Sequence, residues 1–206
     1  MTERYSSQER RTLLWWEIGS ITFVMLAGSM FHFIYELSNF NPVAAAFGSV
    51  NESTWEHLKL FFWPGLAVIL VQHAFVKDFA TNYWWAKAAG LVTVPVGVIF
   101  SFYAYVGVVV PLQGEGTLFG AIGTGLIGVL LGSRVTWRIL NGAEVPKSRA
   151  WWAAGVFIGL TAAFIGFTFY PPEFFLFEDF FGYTYNGEYG ILEDYSKHLV
   201  FVEGTP

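Results

Sequence analysis

FHFIYELSNFNPVAAAFGSVNESTWEHLKLFFWP, residues 31–64, decides how the chain reads. Its left end closes an apolar run over residues 13–37, and its right end opens another over residues 60–76. Further runs follow at residues 86–110, 118–140 and 150–170. Each is near the ~20 residues that a helix needs to cross a hydrocarbon core, so the quoted stretch joins the first two of about five transmembrane helices. Composition agrees, because 54% of the 206 residues are hydrophobic and 13% charged, where a soluble domain carries about a quarter charged residues. The expected fold is all-α: a polytopic integral membrane bundle over residues 1–170, then an extracytoplasmic C-terminal tail over residues 171–206.

The first run is too long for a signal-peptide core and no small-residue cleavage site follows it, so it is expected to remain as a span. The chain has no cysteine, which excludes disulfides, thiolate metal sites and a cysteine nucleophile. With five spans, nine of the eleven basic residues fall on one side, leaving Lys59 and Lys197 on the other. That bias places the amino terminus in the cytoplasm and the carboxyl terminus outside a cell membrane crossed several times. Tryptophans agree: Trp15–Trp16, Trp84–Trp85 and Trp151–Trp152 begin the outward-going spans and Trp137 ends the fourth, where an indole suits the inner headgroup level.

Within the quoted stretch, His32 and Glu36 are four apart and share a face if helical. Asn41-Pro42 reads as the cap and first turn of a short interfacial or re-entrant helix. NESTWEHLK then opens the second span, with Pro64 as a kink point there and Pro95 in the third. His32, Glu36, Glu52, Glu56 and His57 converge at the outer end if both helix ends lie there. His32, His57 and Glu52 are candidate ligands of a divalent metal such as zinc, Glu56 or Glu36 a candidate base, and Lys59 and Asn51 candidate substrate contacts. Each also has a structural explanation. Ser53 and Glu56 fit a capping box, acidic groups suit a helix amino terminus, and Lys59 can pair with Glu56 one turn away and snorkel outward.

Elsewhere the polar groups read more plainly. Glu17 and His73 are expected at the inner interface, and His198 beside Lys197 in solvent. Glu178 and Asp179 make a solvated turn unless the tail folds back. The fourth span repeats small residues at Gly120, Thr124, Gly128 and Gly132, and the fifth at Gly155, Gly159 and Ala163. Such stripes let backbones approach, so these spans are expected to pack together or against another subunit. The tail is acidic but rich in Phe and Tyr, too aromatic for a simple disordered acidic segment. It is expected to fold back over the outer mouth, with a short strand at residues 198–202. No glycine-rich nucleotide loop, GxSxG elbow or basic stripe is present, which argues against nucleotide and nucleic-acid binding.

HFIYE (32–36), VNESTWEHLKL (50–60) followed by a proline, and PPEFFLFED with a later YG (171–190) together resemble a family of small multi-pass membrane proteins of bacteria and archaea whose function is unknown. The resemblance covers most of the chain, implies a self-contained helical membrane domain and supplies no activity; the sequence departs from it in a longer tail, 186–206. A looser similarity links the histidine-bearing segment to the membrane hydrolase superfamily of alkaline ceramidases and progestin-type receptors. That likeness implies a test for metal, although this chain has five spans rather than seven, no HxxxH pair and no aspartate in a span. From sequence, the first reading is a non-catalytic assembly or partner-binding subunit in the lipid bilayer, self-associating or meeting a membrane partner through the fourth and fifth spans. The alternatives are a metal-dependent hydrolase acting on a lipid or amphiphile at the outer leaflet, and an ion-coupled transporter. The sequence assigns no cofactor outright and leaves enzyme activity undecided.

Overall fold

The computed structural model describes residues 4–201. Five helices in it are long and apolar enough to cross a membrane: Ser7–Phe31, Thr54–Val76, Tyr83–Gln113, Leu118–Leu140 and Arg149–Phe169. The first is α1. Short helices α2 (Ile34–Leu37) and α3 (Pro42–Ala45) lie in the connection to the second, α4 (Thr54–Val76). The third span is composite, made of α5 (Tyr83–Ala104), a π turn over Tyr105–Val109 and α6 (Val110–Gln113); the last two are α7 (Leu118–Leu140) and α8 (Arg149–Phe169). Large apolar side chains such as Leu26, Phe75, Phe100, Phe119 and Trp151 point outward and stay exposed, as expected of helices whose outer solvent is hydrocarbon.

Local chemistry sets the helix ends. Ser6 accepts from the Glu9 amide while Glu9 reaches back to Ser6, a complete capping box. Asn41 caps α3 by accepting from the Val43 amide at 2.9 Å, as its Asn-Pro sequence predicts. Both α4 and α5 run unbroken through Pro64 and Pro95. The irregularity in the third span comes later, at the π turn. Gly114, at φ 86, ends that span in the left-handed conformation that glycine adopts without steric cost.

Two expectations fail here. The run 13–37 is not one helix, because α1 stops at Phe31 and the chain turns at His32 and Phe33 before α2. The break removes the helical phase that would put His32 and Glu36 on one face. Nor does the fourth span pack on the fifth. Instead α7 lays its small-residue stripe against α5, the most extensive helix pair in the fold. A Cβ added at Gly128 would sit 2.8 Å from the Val94 carbonyl oxygen, and one at Gly132 2.8 Å from that of Gly90. Glycine is required there because the two backbones touch.

The tail folds back onto the loops at the end of the bundle where α1 finishes and α4 begins. Phe177 stacks on Trp55, and Leu192 and Tyr195 join Tyr35, Ala45 and Val50 in a second small core. The Tyr195 hydroxyl donates to the Val50 carbonyl, and the Trp55 amide, an orphan donor of the first turn of α4, is satisfied by the Leu176 carbonyl at 2.9 Å. The strand expected at residues 198–202 does not form: residues 198–201 are turn and bends, and residue 202 lies outside the described residues. Among the described residues the tail has only an isolated bridge between Glu178 and Tyr189.

Candidate metal site and cavity

The site begins with a close helix crossing. A Cβ at Gly28 of α1 would lie 2.5 Å from the Leu60 carbonyl oxygen of α4, so only glycine allows this approach. His32 is one turn beyond Gly28 and His57 is nearly one turn before Leu60, so the crossing brings the two imidazoles face to face. Their Nε2 atoms are 3.3 Å apart. Glu52, in the loop just before α4, puts one carboxylate oxygen 3.4 Å from His32 Nε2 and the other 3.4 Å from His57 Nε2.

The tautomer of His57 follows from its partner. Its Nδ1 lies 2.9 Å from the Ser53 carbonyl, which can only accept. Nδ1 therefore carries the proton, and neutral His57 presents a bare Nε2 lone pair to the cluster. That carbonyl bond behind the ring is the usual way a ligating histidine is oriented. Donors held by one tetrahedral ion through bonds of about 2.05 Å stand about 3.3 Å apart. The imidazole pair matches that edge length, while Glu52 meets each ring through a different carboxylate oxygen; one ligand atom from each of the three residues lies within 4.8 Å of the others. Burial pushes the Glu52 carboxyl up, but hydrogen bonds and charge from His32 and His57, supplied when those rings are protonated and no metal is bound, outweigh it and hold the group well below the usual carboxylate range.

Behind Glu52 the folded-back tail supplies a carboxylate, the alternative the sequence left open for Asp179, together with His198, expected in solvent. Asp179 is fully buried and accepts from the Glu52 amide at 2.7 Å through Oδ1 and from Asn186 at 2.6 Å through Oδ2. His198 Nε2 lies 3.3 Å from the same Oδ1. The Asp179 carboxylate pushes the His198 imidazole up; burial raises the Asp179 carboxyl itself, and His198 with the donating amides brings it below its ordinary value. The signal for this in the sequence was the aromatic tail, which could bury its neighbours, not the acidic pair itself.

The other candidates frame the site without lining the cavity. Asn51 accepts from the Ser53 amide at 2.9 Å and donates to the Gly190 carbonyl at 2.8 Å, tying loop to tail. Lys59 is fully buried, and its ammonium donates to Ala45 O at 2.8 Å, Thr168 Oγ1 at 2.7 Å and Glu56 Oε2 at 2.6 Å. All three protons are used, so Lys59 does not snorkel outward. Glu56 spends its carboxylate on Lys59, Thr168 and the Val50 amide rather than on the Ser53 amide, so only the Ser53 half of the expected capping box forms. Glu36 accepts from the Val200 and Phe201 amides at 2.8 and 2.5 Å.

The three metal candidates stand at the polar end of a cavity of about 590 Å³. Its wall is largely apolar, with Met25, Leu60, Phe61 and Val98 below the histidines, Phe102 against Phe180, and Tyr183 of the tail above. Exposed Ser29 of α1 and exposed Leu118 and Ile122 of α7 also line it. Exposed lining thus lies sideways between α1 and α7, near the level of the histidines, and also at Gly182 of the tail.

At the opposite end of the bundle, Glu17 is buried and not interfacial as expected. It forms an ion pair with Lys87 and accepts from Gln72 and Ser133, both at 3.3 Å. A carboxylate this far from water needs such a partner.

Sequence comparison gives the affiliation. The chain belongs to the family of unknown function DUF6512, which it matches over residues 4–191. The match takes in every span, the loop of Glu52 and the tail through Gly190. No curated protein and no solved structure matches the chain. The family is thus one of membrane-type helical proteins without an assigned activity.

Proposed function

We propose that this protein is a metal-dependent membrane hydrolase acting on a lipid or other amphiphile, with zinc or a similar divalent ion bound by His32, Glu52 and His57. The observation that carries the reading is the convergence of two imidazole Nε2 atoms 3.3 Å apart and the Glu52 carboxylate, one ligand atom of each within 4.8 Å of the others, at the polar end of an apolar cavity. Two imidazoles and one carboxylate form a donor set of catalytic zinc, which leaves a position for water and lowers that water's pKa to about 7. Such an ion, held by His32, Glu52 and His57, would supply an activated water for cleavage of an ester or amide bond, with the water's proton passing to the leaving group. Asn51, Glu56 and Lys59 serve as positioning residues that hold the loop of Glu52, and Glu36 anchors the tail. By the distribution of basic residues, the site faces the outer leaflet and the amino terminus is cytoplasmic.

The test is metal content of protein purified in mild detergent without chelator, beside a His32→Ala/His57→Ala variant, with hydrolysis of lipid esters and amides followed in both. A stoichiometric ion lost in the variant together with turnover is expected. Absence of metal from the wild type, with no turnover on adding zinc, overturns the proposal.

A partner-binding role retains support of its own. Gly155, Gly159 and Gly166 of α8 meet no heavy atom within 4 Å, which leaves a small-residue strip suited to a second helix. Gly159→Leu is expected to abolish self-association in detergent if that strip is used; an unchanged oligomeric state counts against it.

A further inference from the structure

We infer that Phe61 is the floor of the amphiphile cavity and sets the length of the chain that the cavity accepts. The inference deepens the proposed function and rests on the reading of that cavity as an amphiphile site. Beyond Phe61 lies a second cavity of about 70 Å³, reached by Glu17, Lys87 and Ser133. Among the described residues, Phe61 alone lines both. Its ring lies against Gly125 of α7, where an added Cβ would stand 2.5 Å from the ring Cζ. The side chain therefore spans from α4 to α7 and separates the two spaces.

The direction of a bound chain follows from the walls. The sideways opening, at Ser29, Leu118 and Ile122, is near the histidines, whereas Leu60, Val98 and Gly125 beneath it are buried. A headgroup at the histidines leaves one enclosed course for its tail, down between α1, α4, α5 and α7 toward Phe61. His57 and Phe61 are one helical turn apart, and Met25 is seven positions before His32, so the enclosed depth is about 6–10 Å at 1.5 Å per residue. This suits a single chain, and the first part of it. A longer chain meets the ring, and past the ring it meets the Glu17–Lys87 pair. Phe61 thus also keeps hydrocarbon from those buried ions.

The experiment uses the full chain in mild detergent and a series of alkylphosphocholines from butyl to hexadecyl, with binding read by native mass spectrometry. Each further buried methylene strengthens binding about fourfold, so affinity rises with length until the floor is reached. Wild type is expected to level off early, Phe61→Ala to continue rising for at least two more methylenes, and Phe61→Trp to level off sooner. Metal content stays unchanged in all. The same plateau in Phe61→Ala and Phe61→Trp as in wild type overturns the inference; if Phe61→Ala does not fold, Phe61→Leu takes its place. A plateau that moves in protein that neither holds metal nor turns over lipid on adding zinc would sink the hydrolase reading and leave the floor standing. A metal lost in the histidine variant, with an unmoved plateau, would do the reverse.

Discussion

Replacing Lys59 by Met tests whether the buried pair behind the site holds the fold. Lys59 is fully buried and bonded to Glu56, Thr168 and the Ala45 carbonyl. Lys59→Met keeps the length of the side chain but leaves the Glu56 carboxylate with only the Val50 amide and the Thr168 hydroxyl. Removing one member of a buried pair costs about 3–5 kcal/mol, which is roughly two to three and a half decades in the unfolding constant. Glu56→Met alone is expected to cost a similar amount, because it strands the ammonium. The double variant removes both charges and orphans mainly the Val50 amide, worth about 1–3 kcal/mol. Two singles of that size with so mild a double imply a coupling energy of at least about 3 kcal/mol. Unfolding followed by tryptophan fluorescence in mixed micelles measures it as a double-mutant cycle. Additive losses, or a Lys59→Met variant within about 1 kcal/mol of wild type, would refute the reasoning.

Asp179→Asn keeps the size of the group that receives the Glu52 amide but removes its charge and its hold on His198. Metal affinity should fall about 10- to 100-fold, as for other groups behind metal ligands, with helix content by circular dichroism unchanged; equal affinity would remove Asp179 from the site. Gly132→Ala should destabilise by about 1–3 kcal/mol because the new methyl meets the Gly90 carbonyl. Gly155→Ala, which meets nothing, should be neutral or gain up to about 1 kcal/mol, and thermal unfolding of the pair separates these signs. A reporter fused after Pro206 should be accessible from outside intact cells, and cytoplasmic activity of that reporter would reverse the assigned orientation.

The spans were legible because crossing a bilayer leaves a run of apolar residues whatever the partner helices. The short helix after Asn41 was legible because its cap is local. So was the grouping of His32, Glu52 and His57, since all three lie at adjoining ends of the first two spans. What escaped depends on contacts distant in sequence. Glu17 read alone as an interfacial charge and Lys87 only as one of the basic residues of the inner side, and only their meeting makes burial tolerable. Lys59 read as a snorkelling group because its acceptors come from the α3 loop and from Thr168 of α8. The stripe on α7 showed that a backbone would approach it, but small residues name no partner, and the partner proved to be α5. The turn at His32–Phe33 had no glycine or proline to mark it, and with it went the expected alignment of His32 with Glu36.

The opening between α1 and α7 changes what concentration means for a ligand of this cavity. On the proposed reading of the cavity as an amphiphile site, a molecule entering there comes by diffusion within a leaflet, so its effective supply is its mole fraction among neighbouring lipids rather than its amount per litre. Diluting it with inert lipid or detergent at constant bulk concentration should lower occupancy as surely as removing it from the sample. Affinities measured in micelles and in vesicles would then agree only when expressed per surface.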